Sequence, residues 1–466
     1  MQEAVFHTNT VIEDTESLNE TFGLHPMFVD AVDDALLKKK KKQVRKLVAD
    51  LHPADLADLL EHLEPKQCQR LVEVLKDQFN PDVLPELDDA VRDTVMHAMG
   101  FEDFAQALTQ LDSDEAVYIA GLLEPERREA LLEKLPAADR MQIEQSLSYG
   151  EETAGRLVQR EVVAVPDYWT VGETIDYLRA ARKLPDEFYV VFVVDPRHRP
   201  VGLVDLNRLV RSRRPVKMRD IVNPDMALIS PDMDQEDVAY LFRQRDLVTA
   251  PVVEKSGRLI GQITIDDIVD VINEEAQEDI FKLAGVAESN LYGAVLETVR
   301  GRFSWLLLNL LTAVAASIVI GWFQPTIERL VALAVLMPIV ASMGGNAGTQ
   351  TLTVAVRSLA TKDLDASNAA RIVGKEVLAG LFNGGLFAVL SALVAYIWFQ
   401  DLGLGLVIAA AMMVNLLIAG LAGITIPIAL DKFKIDPATS SAVFLTTVTD
   451  IVGFFTFLGL AAVFLL

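Results

Sequence analysis

The sequence predicts a multi-domain membrane protein: an α-helical N-terminal superhelical domain, a tandem pair of small α/β modules, and a five-helix transmembrane domain. Three observations predict it. Hydrophobic spans at 303–323, 330–356, 377–399, 404–430 and 442–466 each reach the roughly 20 residues that an α-helix needs to cross a bilayer. Before them, a strand-and-helix pattern of about 60 residues occurs twice. Charge divides at the same place. The 466 residues carry a formal net charge of -24; the first 300 hold 34 basic and 58 acidic groups, and the remainder holds eight of each. The acidic excess attracts cations and repels nucleic-acid phosphates, so nucleic acid is excluded as a partner.

The segments follow in order. Residues 1–35 read as a flexible, acidic N-terminus. Its first 19 residues lack the basic and apolar regions of a signal peptide, so the soluble part is expected in the cytoplasm. Residues 36–150 read as the helical domain. Five lysines at 38–42 open it, either as a solvated helix face or as a contact for an acidic surface. Leu51, Leu56, Leu59, Leu60 and Leu63 then recur at helical spacing. Leu63-Glu64-Pro65 and Leu123-Glu124-Pro125 punctuate similar short amphipathic helices, and Pro136 opens another. Such proline-bounded helices stack into a superhelix. The single cysteine, Cys68, permits no internal disulfide. No nucleophile elbow or His-Glu-x-x-His pattern is present, so nothing in this half points to catalysis.

From about residue 160 the period changes to that of strands. Val163-Ala164-Val165 with Pro166 is echoed by Ala227-Leu228-Ile229 with Pro231. Val201-Gly202-Leu203-Val204 is echoed by Ile260-Gly261-Gln262-Ile263. These repeats place one module at 151–220 and a second at 221–273, and they resemble a tandem pair of CBS domains. Such modules commonly bind adenine nucleotides. The step Thr264-Ile265-Asp266-Asp267 resembles their ribose contact, which implies Thr264 and Asp267 as a nucleotide site with ATP as its ligand; a helix cap by Thr264 is the competing account. The first copy has Asp205-Leu206-Asn207-Arg208 at this place and lacks the step.

An acidic connecting helix follows, assigned to 274–300, with its charge beginning earlier. Asp267, Asp270 and Glu274 share one helix face, as do Glu275, Glu278 and Asp279. Like charges at these spacings repel. Either a hard divalent cation relieves them or the face is simply solvated.

The membrane domain, 301–466, contains one ionisable side chain well inside a hydrophobic span: Asp450. A carboxylate at mid-bilayer costs roughly 2.5–3.5 kcal/mol even on the lenient insertion scale, and its span holds no Lys, Arg or His. A cation pathway follows as the leading reading. Thr446 lies four residues earlier on the same face. In the second span, Gly344-Gly345-Asn346-Ala347-Gly348-Thr349-Gln350 is too rich in glycine and polar groups for a lipid-facing helix. The glycines permit either close packing or a local break whose carbonyls face a cavity. Asn346 offers a side-chain oxygen; the hydroxyls of Thr447 and Thr449 read as helix packing. Basic residues cluster in the second and fourth connectors, which places those connectors and the N-terminal half on the cytoplasmic side.

On Gly344 to Gln350, on Asp436-Pro437-Ala438 and on Thr449-Asp450, the chain resembles the MgtE family of magnesium channels and transporters over nearly its whole length. The resemblance implies a homodimer in the cytoplasmic (inner) membrane, with a pore between the second and fifth spans of both subunits and Asp450, Asn346 and Thr446 facing Mg²⁺. It implies that Asp267, Asp270, Glu275, Glu278, Asp279 and Asp436 sense Mg²⁺ and close the pore. The family has polar residues where this chain has Ala347 and Ala442. A nucleotide-regulated secondary transporter of another cation, with Asp450 as a proton relay, stays open as the alternative. An intramembrane enzyme would need a second carboxylate or a histidine within the spans, and none is present.

Overall fold

The computed structural model describes residues 23–181, 184–185, 187–286, 295–439 and 441–466. The chain divides into two compact units, Met1–Val271 and Ile272–Leu466. The boundary falls inside one continuous helix, Ile265–Ala284.

The first unit opens with short helices running from Pro26–Leu37 to Ala137–Leu147. Pro53, Pro65 and Pro125 each sit in the first turn of a helix, where the missing N–H costs nothing. The leucines read as periodic, Leu56, Leu59 and Leu60, are buried in one core with Phe28, Leu71 and Phe104. One expectation is corrected here. The sequence reads as a flexible N-terminus to residue 35, yet Pro26–Leu37 is a helix that buries Phe28, Val32, Ala35 and Leu36. Four apolar residues at helical spacing suffice to dock it onto this core. Residues 1–22 lie outside the described part.

The two α/β modules repeat in detail. In the first, β1 (Ala164–Pro166) runs parallel to β2 (Val190–Val194), which pairs antiparallel with β3 (Pro200–Asp205). In the second, β4 (Thr249–Val253) pairs antiparallel with β5 (Leu259–Thr264), and Ile229 makes the parallel bridge to Val252 that stands where β1 stands in the first copy. Both antiparallel pairs slip register at the same place, after Val193 and after Val252. Each copy is completed by the other's leading segment. Leu203 of the first copy bridges Asn223, and Gln262 of the second bridges Gln159. This crossing explains the repeated glycine. A Cβ on Gly202 would lie 2.5 Å from Val222 Cγ2, and one on Gly261 would lie 2.5 Å from the Gln159 carbonyl oxygen.

In the second unit, five helices are long and apolar enough to cross a membrane, in register with the five sequence spans. The first membrane helix is Val295–Trp322, the second Ala332–Ala360, the third Ala369–Phe399, the fourth Leu402–Lys432 and the fifth Ser441–Phe464. The expected connecting helix at 274–300 is therefore redrawn: it begins at Ile265, ends at Ala284 before Gly285, and residues 295–300 already belong to the first membrane helix. The fourth helix is the axis, half buried in its apolar window against 11% for the first. It packs on the second, third and fifth helices. The Gly344–Gly348 stretch is unbroken helix, which decides between the two readings of its glycines in favour of close packing. Gly344 meets Asn415 of the fourth helix and Gly348 meets Leu445 of the fifth.

The modular crossing makes a stability prediction. Gly261→Ala forces Val158 or the Gln159 backbone to move and should cost about 1–3 kcal/mol. Gly321→Ala, with no other atoms within 4 Å of the added carbon, should cost nothing. Thermal unfolding of the full chain in detergent compares them; equal melting temperatures would show that the crossing tolerates a side chain.

Candidate functional site

Second and fifth membrane helices carry the predicted path residues, and the structure adds a pattern around them. Ser342, Asn346, Thr349 and Thr353 are all exposed on the second helix. Their spacing of four, three and four residues puts them on a single face. The opposite face, Val340, Gly344, Gly348 and Leu352, is buried. Asn346 Nδ2 donates to Ser342 Oγ at 3.4 Å, Thr349 Oγ1 to the Gly345 carbonyl at 2.9 Å, and Thr353 Oγ1 to the Thr349 carbonyl at 2.9 Å. Because the threonine hydroxyl protons are spent on the helix itself, these oxygens keep acceptor lone pairs for a water or cation.

Thr446 lies against this helix: its Cγ2 is 3.9 Å from where a Cβ on Gly345 would stand. Its hydroxyl donates to the Ala442 and Val443 carbonyls at 3.0 and 3.1 Å. Asp450 is half-buried one turn further on. Among the described residues its carboxylate makes no ion pair, and none of the hydrogen bonds involves it. Thr447 and Thr449 bond back to Val443 and Thr446, and Thr449 is fully buried, in keeping with helix packing. Thr446 is thus brought against the second helix beside Asn346, and Asp450 follows it four residues later on the fifth helix. Sequence reading singled out Asn346 and missed its stripe partners, although the 4-3-4 spacing was there to find.

The acidic residues fall into two clusters, one in each unit. In the first unit, Asp267 Oδ2 accepts from Thr264 Oγ1 at 2.9 Å, and the Asp267 carboxylate also accepts from the Thr264 backbone N–H at the start of the helix, as one half of a capping box does. The carboxyl of Asp267 faces Asp114 of the helix Ser113–Leu122, a residue that sequence reading passed over. Burial, reinforced by Asp267, pushes the Asp114 carboxyl well above the usual range, and one of its oxygens is buried without a partner. Burial raises Asp267 to about 6, although Asp114 donates a hydrogen bond to it. Nearby, burial and Asp112 raise Glu115 to about 7. Burial and then Asp266 raise Asp270, which in turn helps to raise Glu86. Thr264 and Asp267 line no part of the cleft between the two modules. That cleft, of about 590 Å³, is bordered instead by Asp205, Asn223, Asp225, Arg245, Asp246 and Thr249 among others.

In the second unit, Glu275, Glu278, Asp279 and Asp436 come together. Burial and then Asp436 raise Asp279 to about 6, with Glu275 and Glu278 adding to the effect. Lys282, another residue missed, stands among them. Its Nζ pairs with Glu278 and reaches Asp436 Oδ2 at 2.6 Å. Burial opposes its charge, but hydrogen bonds to Asp436 and Glu278 outweigh burial and hold the ammonium above its ordinary range. Asp436 also accepts from the Ala438 N–H at 2.7 Å and the Thr439 hydroxyl at 3.1 Å; with Lys282, these overcome burial and keep it ionised. Next to Lys282, Leu283 packs on Leu352, Val356, Ala422, Ala438 and Leu445. Among the described residues no group of three His, Cys, Asp or Glu side chains converges as an inner-sphere metal set.

A pH dependence follows from Asp267. Its folded value of about 6 exceeds the ordinary 3.8, so between about pH 4 and pH 6 the folded chain holds a proton that the unfolded chain has lost. Stability from this group is therefore present at low pH and falls as pH rises through that window. Melting curves of the full chain in detergent from pH 4 to 8, without divalent ions, should show Asp267→Asn gaining on the parent as pH rises. A gain in the opposite direction would remove Asp267 as a buried acid.

Known proteins resemble this chain along most of its length. The MgtE divalent cation transporter family matches residues 337–460, the MgtE intracellular N domain matches 51–152, and the CBS domain matches 218–274. A magnesium transporter MgtE of Thermus thermophilus is 31% identical over 451 residues, covering 93% of this chain and 98% of that protein. One of Enterococcus faecalis is 34% identical over 324 residues, covering 70% and 72%. A solved structure of the cytosolic domain of the Mg²⁺ channel MgtE in complex with ATP is 27% identical, with a TM-score of 0.49, and covers 52% of this chain and 99% of that one. At these identities and coverages the chain belongs to the MgtE family of magnesium transporters.

Proposed function

We propose that the chain is a Mg²⁺-selective channel or transporter of the cytoplasmic membrane, working as a homodimer and closed by Mg²⁺ at its acidic clusters. The observation that carries this reading is Asp450, half-buried in a membrane helix without a counter-cation among the described residues, in a bundle whose second helix carries an exposed polar stripe. Lipid cannot solvate such a stripe. A second copy that covers it would place two Asp450 carboxylates and two rows of hydroxyl and amide oxygens around one aqueous path.

Mg²⁺ gives up its water reluctantly, so a protein site often holds it with most of its hydration shell. Carboxylates from two subunits would accept hydrogen bonds from those waters, with Thr446 and Asn346 setting the width. Two facing carboxylates repel when empty, which favours a divalent occupant over a monovalent one. With no ATPase motif in the sequence, flux would run down the electrochemical gradient.

The gating reading rests on the raised carboxyls. At low Mg²⁺, Asp114 with Asp267, and Asp279 beside the ionised Asp436, relieve their remaining repulsion by holding protons or by separating. A hydrated Mg²⁺ between each pair relieves it at neutral pH and holds the connecting helix in place. Lys282 already does part of this as a fixed cation. A nucleotide would fit the module cleft, whose volume suits a small-molecule ligand, with Arg245 available to phosphate and Asp205, Asp225 or Asp246 to ribose hydroxyls.

Mg²⁺ uptake into proteoliposomes tests the path. Asp450→Asn should lower it at least tenfold, and imposing a pH gradient should leave the parent rate unchanged. Uptake that survives the substitution removes the carboxylate from permeation, and uptake that follows the pH gradient favours the proton-relay transporter. For gating, Lys282→Met should raise the Mg²⁺ concentration for half-closure severalfold, and combined Asp267→Asn, Glu278→Gln and Asp279→Asn should leave the pathway open at high Mg²⁺. Normal closure in that triple variant would exclude the sensor assignment.

A further inference from the structure

The fourth membrane helix presents one polar side chain to the two helices of the path. Asn415 is fully buried. Its Nδ2 donates to the Val340 carbonyl of the second helix at 2.8 Å. The same amide fills the hollow at Gly344, where an added Cβ would lie 2.9 Å from its Cγ, and the hollow at Gly453 of the fifth helix, where an added Cβ would lie 2.8 Å from its Nδ2. Its Oδ1 is buried without a partner. A polar side chain at membrane depth is costly, and an unpaired amide oxygen adds to the cost. Leucine has the same branching and would bring neither penalty, so packing alone does not account for an asparagine here.

Gly344 and Asn346 differ by two residues, about 200° around the helix. Seating Gly344 on Asn415 therefore turns Asn346 and its stripe to the opposite face. The bond to Val340 fixes the axial position as well, and Gly453 lies three residues beyond Asp450. We propose that Asn415 is a positioning residue for permeation: it sets the rotation of the second helix and its separation from the fifth, and so the spacing between the polar stripe and Asp450. It touches no ion itself. The inference rests on the permeation reading above, through the path that those two helices line.

The test uses the full chain in liposomes, as parent, Asn415→Ala and Asn415→Leu. The alanine variant empties both hollows. The leucine variant keeps the bulk and removes the bond, and it should fold even where the alanine variant does not. Two readouts address position rather than stability. One is the ratio of Mg²⁺ to Na⁺ flux, expected to fall about threefold to tenfold in the leucine variant, the scale of one interhelical hydrogen bond in a membrane. The other is labelling of single Ser342→Cys, Asn346→Cys, Thr349→Cys and Thr353→Cys substitutions, in a Cys68→Ala background, by a membrane-impermeant cationic thiol reagent. The four positions should react as one face in the parent and lose that pattern in the leucine variant. A leucine variant with the parental flux ratio and labelling pattern overturns the proposal. Asp450→Asn, run beside it, separates the two readings: Mg²⁺ flux that survives this change sinks the permeation path, whereas the labelling pattern still reports whether Asn415 holds the helix.

Discussion

Everything in the membrane unit answers to one constraint: polar groups at hydrocarbon depth must be kept from lipid. Asp450 makes this constraint severe, because a lone carboxylate there has neither a basic neighbour in its own helix nor a hydrogen bond among the described residues. The bundle meets it by sorting. Apolar residues of the second helix pack inward on the fourth, and Ser342, Asn346, Thr349 and Thr353 gather on the other face. The threonine hydroxyls along that face satisfy their own protons on helix carbonyls and keep oxygen lone pairs free, which is the chemistry a hydrated cation can use.

Close backbone approach recurs as a device in both units, for different physical reasons. In the α/β modules, Gly202 and Gly261 let the leading segment of one copy cross the strand of the other, so each module is finished only in the presence of its twin. In the membrane unit no hydrophobic effect draws helices together, and contact depends on dispersion and on interhelical hydrogen bonds. Gly380 and Gly384 accordingly let the third helix reach within 3.1–3.2 Å (from an added Cβ) of fourth-helix carbonyls at Leu416 and Met413. Gly344 does more, since it admits a hydrogen-bonding side chain instead of bare backbone.

One helix links acidic clusters that are held differently. Toward its start, Asp267 is paired with another buried acid and the pair holds a proton. Toward its end, Asp436 is ionised by Lys282 and two donors from its own loop, while Asp279 beside it is raised. The first arrangement is neutralised by pH and the second by a covalently attached cation. In the proposed gating, a diffusible divalent ion substitutes for both, so ion concentration and proton concentration act on the same carboxyls.

Much was legible in the sequence because it is written in period and composition. Five long apolar runs fix five membrane helices whatever their packing. The repeated strand-glycine-strand fixes two copies of one module, and a carboxylate alone among apolar neighbours marks itself out as a candidate site. Proline at helix starts fixed the short helices of the first domain. Only the tertiary structure decided the matters that depend on what lies across from a residue. Asp114 looked like any acid at a helix start until burial placed it against Asp267. Thr264 and Asp267 match a nucleotide step in sequence, whereas in the fold they bond to each other and line no part of the cleft between the modules. The glycines of the second span could have marked a break; the partners Asn415 and Leu445 made them contact points. Lys282 and Asp436 are more than 150 residues apart in sequence, and Asn415 is 75 from Val340. Local pattern specifies which face of a helix is polar, but not which residue of another helix will meet it, because that choice is made by packing the whole bundle.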